Sequence, residues 1–279
     1  MKRILFPTDF SDTAHHAFVY ALELAAAFDA EIITLSVYRK PDLPGELYVA
    51  SNLQKIYNEM DLAVFNDQKE ATALLRNIAQ QNGQENVNLD HLLVEGEVKA
   101  TILATAEKEN IDLIVMGTDG ATFFEQVFTG SVTGEIMEKA TCPVLAIPDR
   151  SKYDGQLDHL GVCTNFLDSD HKVIETGLQW AESLQAKVKV VHVDTTHTEA
   201  YKSKMEAFQK PYAGKENLEF VGIDGLELTT ALGEYAENNK IDLLIMQITE
   251  RNFLQELMHQ NIAKQMTYHR RVPILAIQY

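Results

Sequence analysis

The chain has 279 residues, 46% of them hydrophobic, enough for one large domain or two ordinary ones with their own cores. A formal net charge of −17 argues against nucleic acid and anionic membrane surfaces as partners, because both would be repelled. Two cysteines, Cys142 and Cys163, are too few for a disulfide framework and read as small core residues rather than reactive thiols or a metal pair.

In chain order, strand and helix patterns alternate. Arg3–Pro7 reads as a strand, and Ser11 opens a helix through Phe28 as its cap. Lys2 and Arg3 precede only a short apolar segment before Pro7 and Asp9, so no secretory leader is expected. No stretch approaches the ~20 apolar residues of a membrane helix, and a cytoplasmic location follows as the default. Next come strand Glu31–Tyr38, a Pro-containing loop, helix Ser51–Asn82, strand Asn88–Val94 and helix Val98–Glu109, with Gly83 and Gly96 punctuating loops. Strand Leu113–Met116, helix Ser131–Ala140 and strand Val144–Ile147 complete the first half. After the polar link 149–155, strands are expected near Leu160–Thr164, Lys187–Val193, Leu218–Gly222, Leu243–Ile248 and Ile274–Ile277. Helices near Ser169–Leu184, Glu199–Lys210, Glu227–Asn238 and Phe253–Thr267 lie between them.

The second half repeats the first. Ile111-Asp112-Leu113-Ile114-Val115-Met116 matches Ile241-Asp242-Leu243-Leu244-Ile245-Met246, and Pro143-Val144-Leu145-Ala146-Ile147 matches Pro273-Ile274-Leu275-Ala276-Ile277, both at an offset of 130. Thr8-Asp9-Phe10 matches Thr164-Asn165-Phe166 at an offset of 156, as does Val37 with Val193. The first half therefore holds about 26 extra residues, and they fall in Lys40 to Asn82. Two domains are expected, 1–149 and 156–279, each an α/β doubly wound parallel sheet.

Gly117-x2-Gly120-x9-Gly130-Ser131 follows the buried strand ending at Met116 and precedes a helix beginning near Val132. A helix start offers unpaired N–H groups and the positive end of the dipole, and glycine lets backbone approach a phosphate. Ligands in such sheets bind beyond the carboxyl ends of strands, where Asp9 and Gly117 both stand. Each glycine alone reads equally as a turn or cap; the set at this spacing points to a nucleotide.

Pro7-Thr8-Asp9-Phe10-Ser11, the glycine spacing and the closing Cys142-Pro143-Val144-Leu145-Ala146-Ile147-Pro148 resemble the universal stress protein family in its tandem form, over essentially the whole chain. The resemblance implies an adenine-nucleotide alpha-hydrolase-like fold, five parallel strands per domain in the order 3-2-1-4-5, with ATP held in domains that keep the glycines. Transferred to this chain, Pro7 and Thr8 would be among the nucleotide-binding residues, Asp9 would contact ribose or a phosphate-bound metal, and the Val37 main chain would read adenine. Met116 and Gly117 would lie along the ribose, Gly120 and Gly130 would let the loop close on phosphates, and Ser131 and Val132 would donate N–H groups. Asp119 departs from a phosphate loop, because nothing basic stands between Gly117 and Glu138. Either a metal such as Mg2+ bridges Asp119 or Asp9 to phosphate, or Asp119 faces solvent.

At the matching positions the second half carries Asn165, Gln247, Glu250, Gln260 and Asn261 in place of Asp9, Gly117, Gly120, Gly130 and Ser131, so no nucleotide is expected there. His15-His16 point apart on one helix, and His192 reads as a half-buried structural histidine. His197 lacks partners for a zinc site, and His269-Arg270-Arg271 is a solvated turn or a small anion site. No glycine-flanked nucleophile elbow occurs. Val144–Ile147 and Ile274–Ile277 read as apolar edge strands that would pair, making one chain an internal pseudo-dimer, with a homodimer as a further option. Three functions remain open: an ATP-binding regulatory protein of the stress response, a slow ATPase or nucleotidyl transferase, and a nucleotide-independent interaction protein.

Overall fold

The computed structural model describes residues 1–39, 69–70, 72–118, 132–149, 151, 153–198, 200–248 and 272–278. Gly120, Gly130, Ser131 and Asp119, the expected helix Phe253–Thr267, the positions Glu250, Gln260 and Asn261, and His269 to Arg271 lie outside the described residues, as does most of Ser51–Asn82. The chain divides into two compact units, Met1–Met116 and Gly117–Tyr279.

In the first unit, β1 (Arg3–Pro7), β2 (Glu31–Tyr38), β3 (Leu89–Glu95) and β4 (Leu113–Thr118, which crosses the division) lie in the order β3-β2-β1-β4, all parallel. Ile4, Leu5 and Phe6 of β1 and Leu113, Ile114 and Val115 of β4 are fully buried, as unbroken apolar strands covered on both faces must be. Helix α1 (Asp12–Phe28) starts where Ser11 Oγ accepts the Ala14 N–H and stops at Asp29, which turns left-handed at φ +52. Residues 72–81 are helical, and α2 (Val98–Lys108) precedes β4. Strand β4 continues through Gly117 and Thr118, two residues beyond the expected end.

In the second unit, α3 (Val132–Lys139) leads to β5 (Val144–Pro148). Strands β6 (His159–Cys163), β7 (Lys187–Asp194), β8 (Leu218–Asp224), β9 (Leu243–Gln247) and β10 (Ile274–Ile277) lie in the order β10-β9-β6-β7-β8, all parallel. This is the 3-2-1-4-5 order expected for a repeat. Helices α4 (Asp170–Leu184), α5 (Tyr201–Phe208) and α6 (Leu228–Asn238) form the crossovers. Helix α5 is shorter than its sequence pattern: the chain tightens into a 3-10 turn at Lys210–Tyr212, where Pro211 has no N–H to continue an α-helix. Strand β5 pairs antiparallel with β10, setting Leu145 opposite Leu275. Strand β10 is thus flanked by β9 and β5: the two apolar strands expected to pair, Val144–Ile147 and Ile274–Ile277, pair with each other.

The repeat extends to backbone detail. Residues with positive φ other than glycine recur in matched pairs: Phe10 and Phe166, Asp29 and Gln185, Asn110 and Lys240. Asp112 Oδ2 accepts the N–H groups of Lys2 and Arg3 at 2.6 and 3.0 Å, and Asp242 Oδ2 accepts those of Asp158 and His159 at 3.1 and 2.9 Å. The repeated Ile-Asp-Leu therefore fastens the start of the first strand of each repeat to its fourth.

Candidate functional site

In the first unit, β1 ends opposite Leu35, while β2 runs on to Tyr38 and pairs Val37 with Val94 of β3. Val37 therefore stands beyond the last residue of β1, on the carboxyl edge of the sheet. Pro7 closes β1, and the buried Thr8 then turns the chain: its N–H donates to Leu35 O at 2.9 Å, and its Oγ1 accepts the Phe10 N–H at 3.0 Å. Phe10 takes the left-handed region, φ +58, which brings Asp9 outward. Asp9 is exposed, and its Oδ1 accepts the Ser11 N–H at 3.0 Å. The carboxylate is therefore held by one bond on an exposed residue, where a sugar hydroxyl or a metal ion could meet it. Met116, 6% exposed, ends this unit in β4, the parallel neighbour of β1.

In the second unit, Gly117 is half-buried in β4, and its carbonyl accepts the Thr133 hydroxyl at 3.1 Å. Thr133 stands in the first turn of α3, beside the half-buried Val132, and is 5% exposed. The strand end and the helix start are thus tied together. Thr133 was not among the residues picked from sequence; the signal was a hydroxyl residue just inside a helix that follows Gly130-Ser131.

The matching turn of the second repeat keeps the fold and changes the chemistry. Thr164 N–H donates to Val191 O at 3.0 Å and Thr164 Oγ1 accepts the Phe166 N–H at 2.9 Å, as Thr8 does in the first repeat. Asp170, absent from the sequence reading, is 5% exposed and gathers the Thr164 hydroxyl, the Asn165 N–H and the Leu167 N–H on Oδ2 at 2.8, 2.8 and 3.1 Å. Ala14 stands at that position in the first repeat, a difference readable from the offset of 156. Cys163 is half-buried against a buried cluster, and its thiol is pushed up to about 12 by burial and, secondarily, by Asp170. His192 Nδ1 lies 2.9 Å from Thr164 O, and its ring packs 4.5 Å from that of Phe166, so it is a structural histidine as expected. Among the described residues no helix is long and apolar enough to cross a membrane.

Comparisons with known proteins agree with this fold. Over 151 residues, 54% of this chain and 84% of the relative, the sequence is 32% identical to Universal stress protein MJ0531 of Methanocaldococcus jannaschii. It is 30% identical over 152 residues to Universal stress protein MJ0577 of the same organism, covering 52% of this chain and 94% of that one. The crystal structure of a universal stress protein from Archaeoglobus fulgidus superposes with a TM-score of 0.70 over 99% of this chain and 98% of its own, at 14% identity, a likeness of fold. Residues 1–148 match the model of the universal stress protein family, and the chain belongs to that family.

Proposed function

We propose that the first repeat binds ATP or another adenine nucleotide, through Pro7, Thr8, Asp9, Val37, Met116, Gly117, Gly120, Gly130, Ser131 and Val132. The observation that carries this reading is the bond between Thr133 Oγ1 and Gly117 O. It holds Gly117, which precedes the glycine-rich segment, against the start of α3, which follows it, and a helix start offers N–H groups to an anion. Asp9, braced by the Ser11 N–H, supplies an oxygen for ribose or for a magnesium ion. The domain division we favour is 1–149 and 156–279, with a regulatory role in the cytoplasm under stress. The pairing of β5 with β10 supports the two repeats partnering each other within one chain.

Isothermal calorimetry with ATP and magnesium tests this: one site per chain is expected, lost in Gly130→Arg and weakened at least tenfold in Asp9→Ala. Absence of any binding heat, together with no nucleotide released from the protein as purified, overturns it. Steady phosphate release that disappears in Asp9→Ala would instead place the protein among slow ATPases.

A further inference from the structure

At the amino ends of β6 and β9, Asp158, His159 and Asp242 bring an oxygen, a nitrogen and an oxygen within 4.8 Å of one another. Among the described residues no other three His, Cys, Asp or Glu side chains meet this closely. His159 Nδ1 lies 2.5 Å from Asp158 Oδ1 and 3.9 Å from Asp242 Oδ2. The Asp242 side chain is mostly buried, and the N–H groups of Asp158 and His159 anchor it on Oδ2. Those bonds use two of the roughly four lone-pair sites of a carboxylate and leave the rest for a ligand. The side chains of Asp158 and His159 are partly open to solvent, so an ion has a way in.

The first repeat builds the same frame without these donors. Asp112 stands where Asp242 does and accepts the matching N–H groups, but they belong to Lys2 and Arg3. The Arg3 guanidinium bridges Glu31 and Glu109, and Lys2 Nζ lies 3.7 Å from Asp29 Oδ2. In the second repeat the two permanent cations at the strand start are replaced by a carboxylate and an imidazole. Lys187, opposite His159 on β7, is exposed and forms no ion pair with Asp158 or Asp242 among the described residues. Two carboxylates therefore meet at a half-buried point without a permanent positive charge between them. Asp242 registers this: burial first, then Asp158 and Asp154, push it up to about 6 against the pull of the His159 N–H.

We infer that Asp158, His159 and Asp242 bind a divalent transition-metal ion of the zinc class, with water completing its coordination. One imidazole with two carboxylates suits such an ion, whereas calcium and magnesium seek oxygen alone and gain little from the nitrogen. Ligand atoms ~2.1 Å from a tetrahedral ion stand about 3.4 Å apart. The separation of His159 from Asp242 is near that spacing, and Asp158 has to swing out by about 1 Å, which its exposed side chain permits. The ion would then join the start of β6 to the start of β9, beside the hydrogen bonds that already do so. Nucleotide binding by the first repeat plays no part in this chemistry, so the two can fail separately.

Zinc chloride is the probe. The full chain, stripped with EDTA and isotope-labelled at its histidine ring nitrogens, is followed by NMR, with the rings assigned through backbone correlations. Zinc is expected to shift the His159 Nδ1 signal to saturation at one ion per chain, with a Kd of about 10 μM or tighter. Magnesium and calcium at the same concentration should leave that signal in place. His197, whose Nδ1 lies 4.0 Å from Asp224 Oδ1, is the internal reference for a single histidine–carboxylate pair and should respond only at higher zinc. Asp158→Asn, on an exposed side chain, is expected to weaken zinc at His159 at least tenfold, about 1.4 kcal/mol or more. A His159 signal unmoved by zinc, or moved only in step with His197, overturns the inference, and either result is read on the unmodified protein. An equal response to magnesium, or unchanged zinc affinity in a folded Asp158→Asn, overturns it as well.

Discussion

Asp9 and Asp170 meet one need in two ways. Each repeat leaves N–H groups exposed where its first strand turns into its first helix. In the first repeat the surface carboxylate of Asp9 takes one of them, the Ser11 N–H, and remains open to solvent. In the second the buried Asp170 takes two N–H groups and the Thr164 hydroxyl. Asp170→Ala strands three donors at a buried point and is expected to cost about 2–4 kcal/mol in urea unfolding, against about 1 kcal/mol or less for Asp9→Ala. Asp242 gives a pH signature. Burial raises it to about 6, the His159 N–H works against that rise, and the nearby Asp158 adds to it. An unfolded Asp titrates near ~3.9, so between about pH 4 and 6 the folded chain holds this proton more tightly than the unfolded one. Its contribution is fully present below the unfolded value and is lost as pH rises through about 6. Urea midpoints should therefore fall across this window, and Asp242→Asn, which keeps an oxygen for the two N–H groups, should flatten the slope.

At the level of elements, close approach governs α4. Gly177 packs on β6 so tightly that an added Cβ would come within 2.7 Å of Val162 Cγ2, and Val162 is fully buried. Alanine gains about 1 kcal/mol of helix propensity over glycine, but forcing apart a β-branched core residue costs about 1–3 kcal/mol. Gly177→Ala is therefore expected to lower the unfolding midpoint, and a rise would show that the helix can lift off the strand without loss. The Thr133 bond to Gly117 plays a comparable part for α3, holding a short helix against the strand that precedes it.

For the whole molecule, charge sets a further expectation. A net charge of −17 on 279 residues repels itself in the compact state more than in the expanded one. Added salt screens that repulsion within a Debye length of about 10 Å at ~0.1 M. The melting temperature should rise between about 10 mM and 0.2 M sodium chloride; a flat response would mean that the acidic groups are already spaced or paired well enough to cancel.

Much of this fold was legible in the residues because its central strands are buried on both faces and its helices are local. Strand Glu31–Tyr38 and the Ser11 cap stand where the pattern put them, and the offsets of 130 and 156 reappear as matched turns. The proposed nucleotide-binding segment is marked in the sequence by glycines, whose chemistry is a property of the residue itself. The direct bonds that build each strand-end turn were not legible. Thr133 to Gly117 and Asp170 to Asn165 depend on how a helix docks on its strand, and Asp112 to Lys2 spans 110 residues. Alternation and spacing follow from local periodicity and burial. Which oxygen meets which N–H, and that β5 runs antiparallel to β10, were set only when the packed chain brought distant residues to within 3 Å or so of each other.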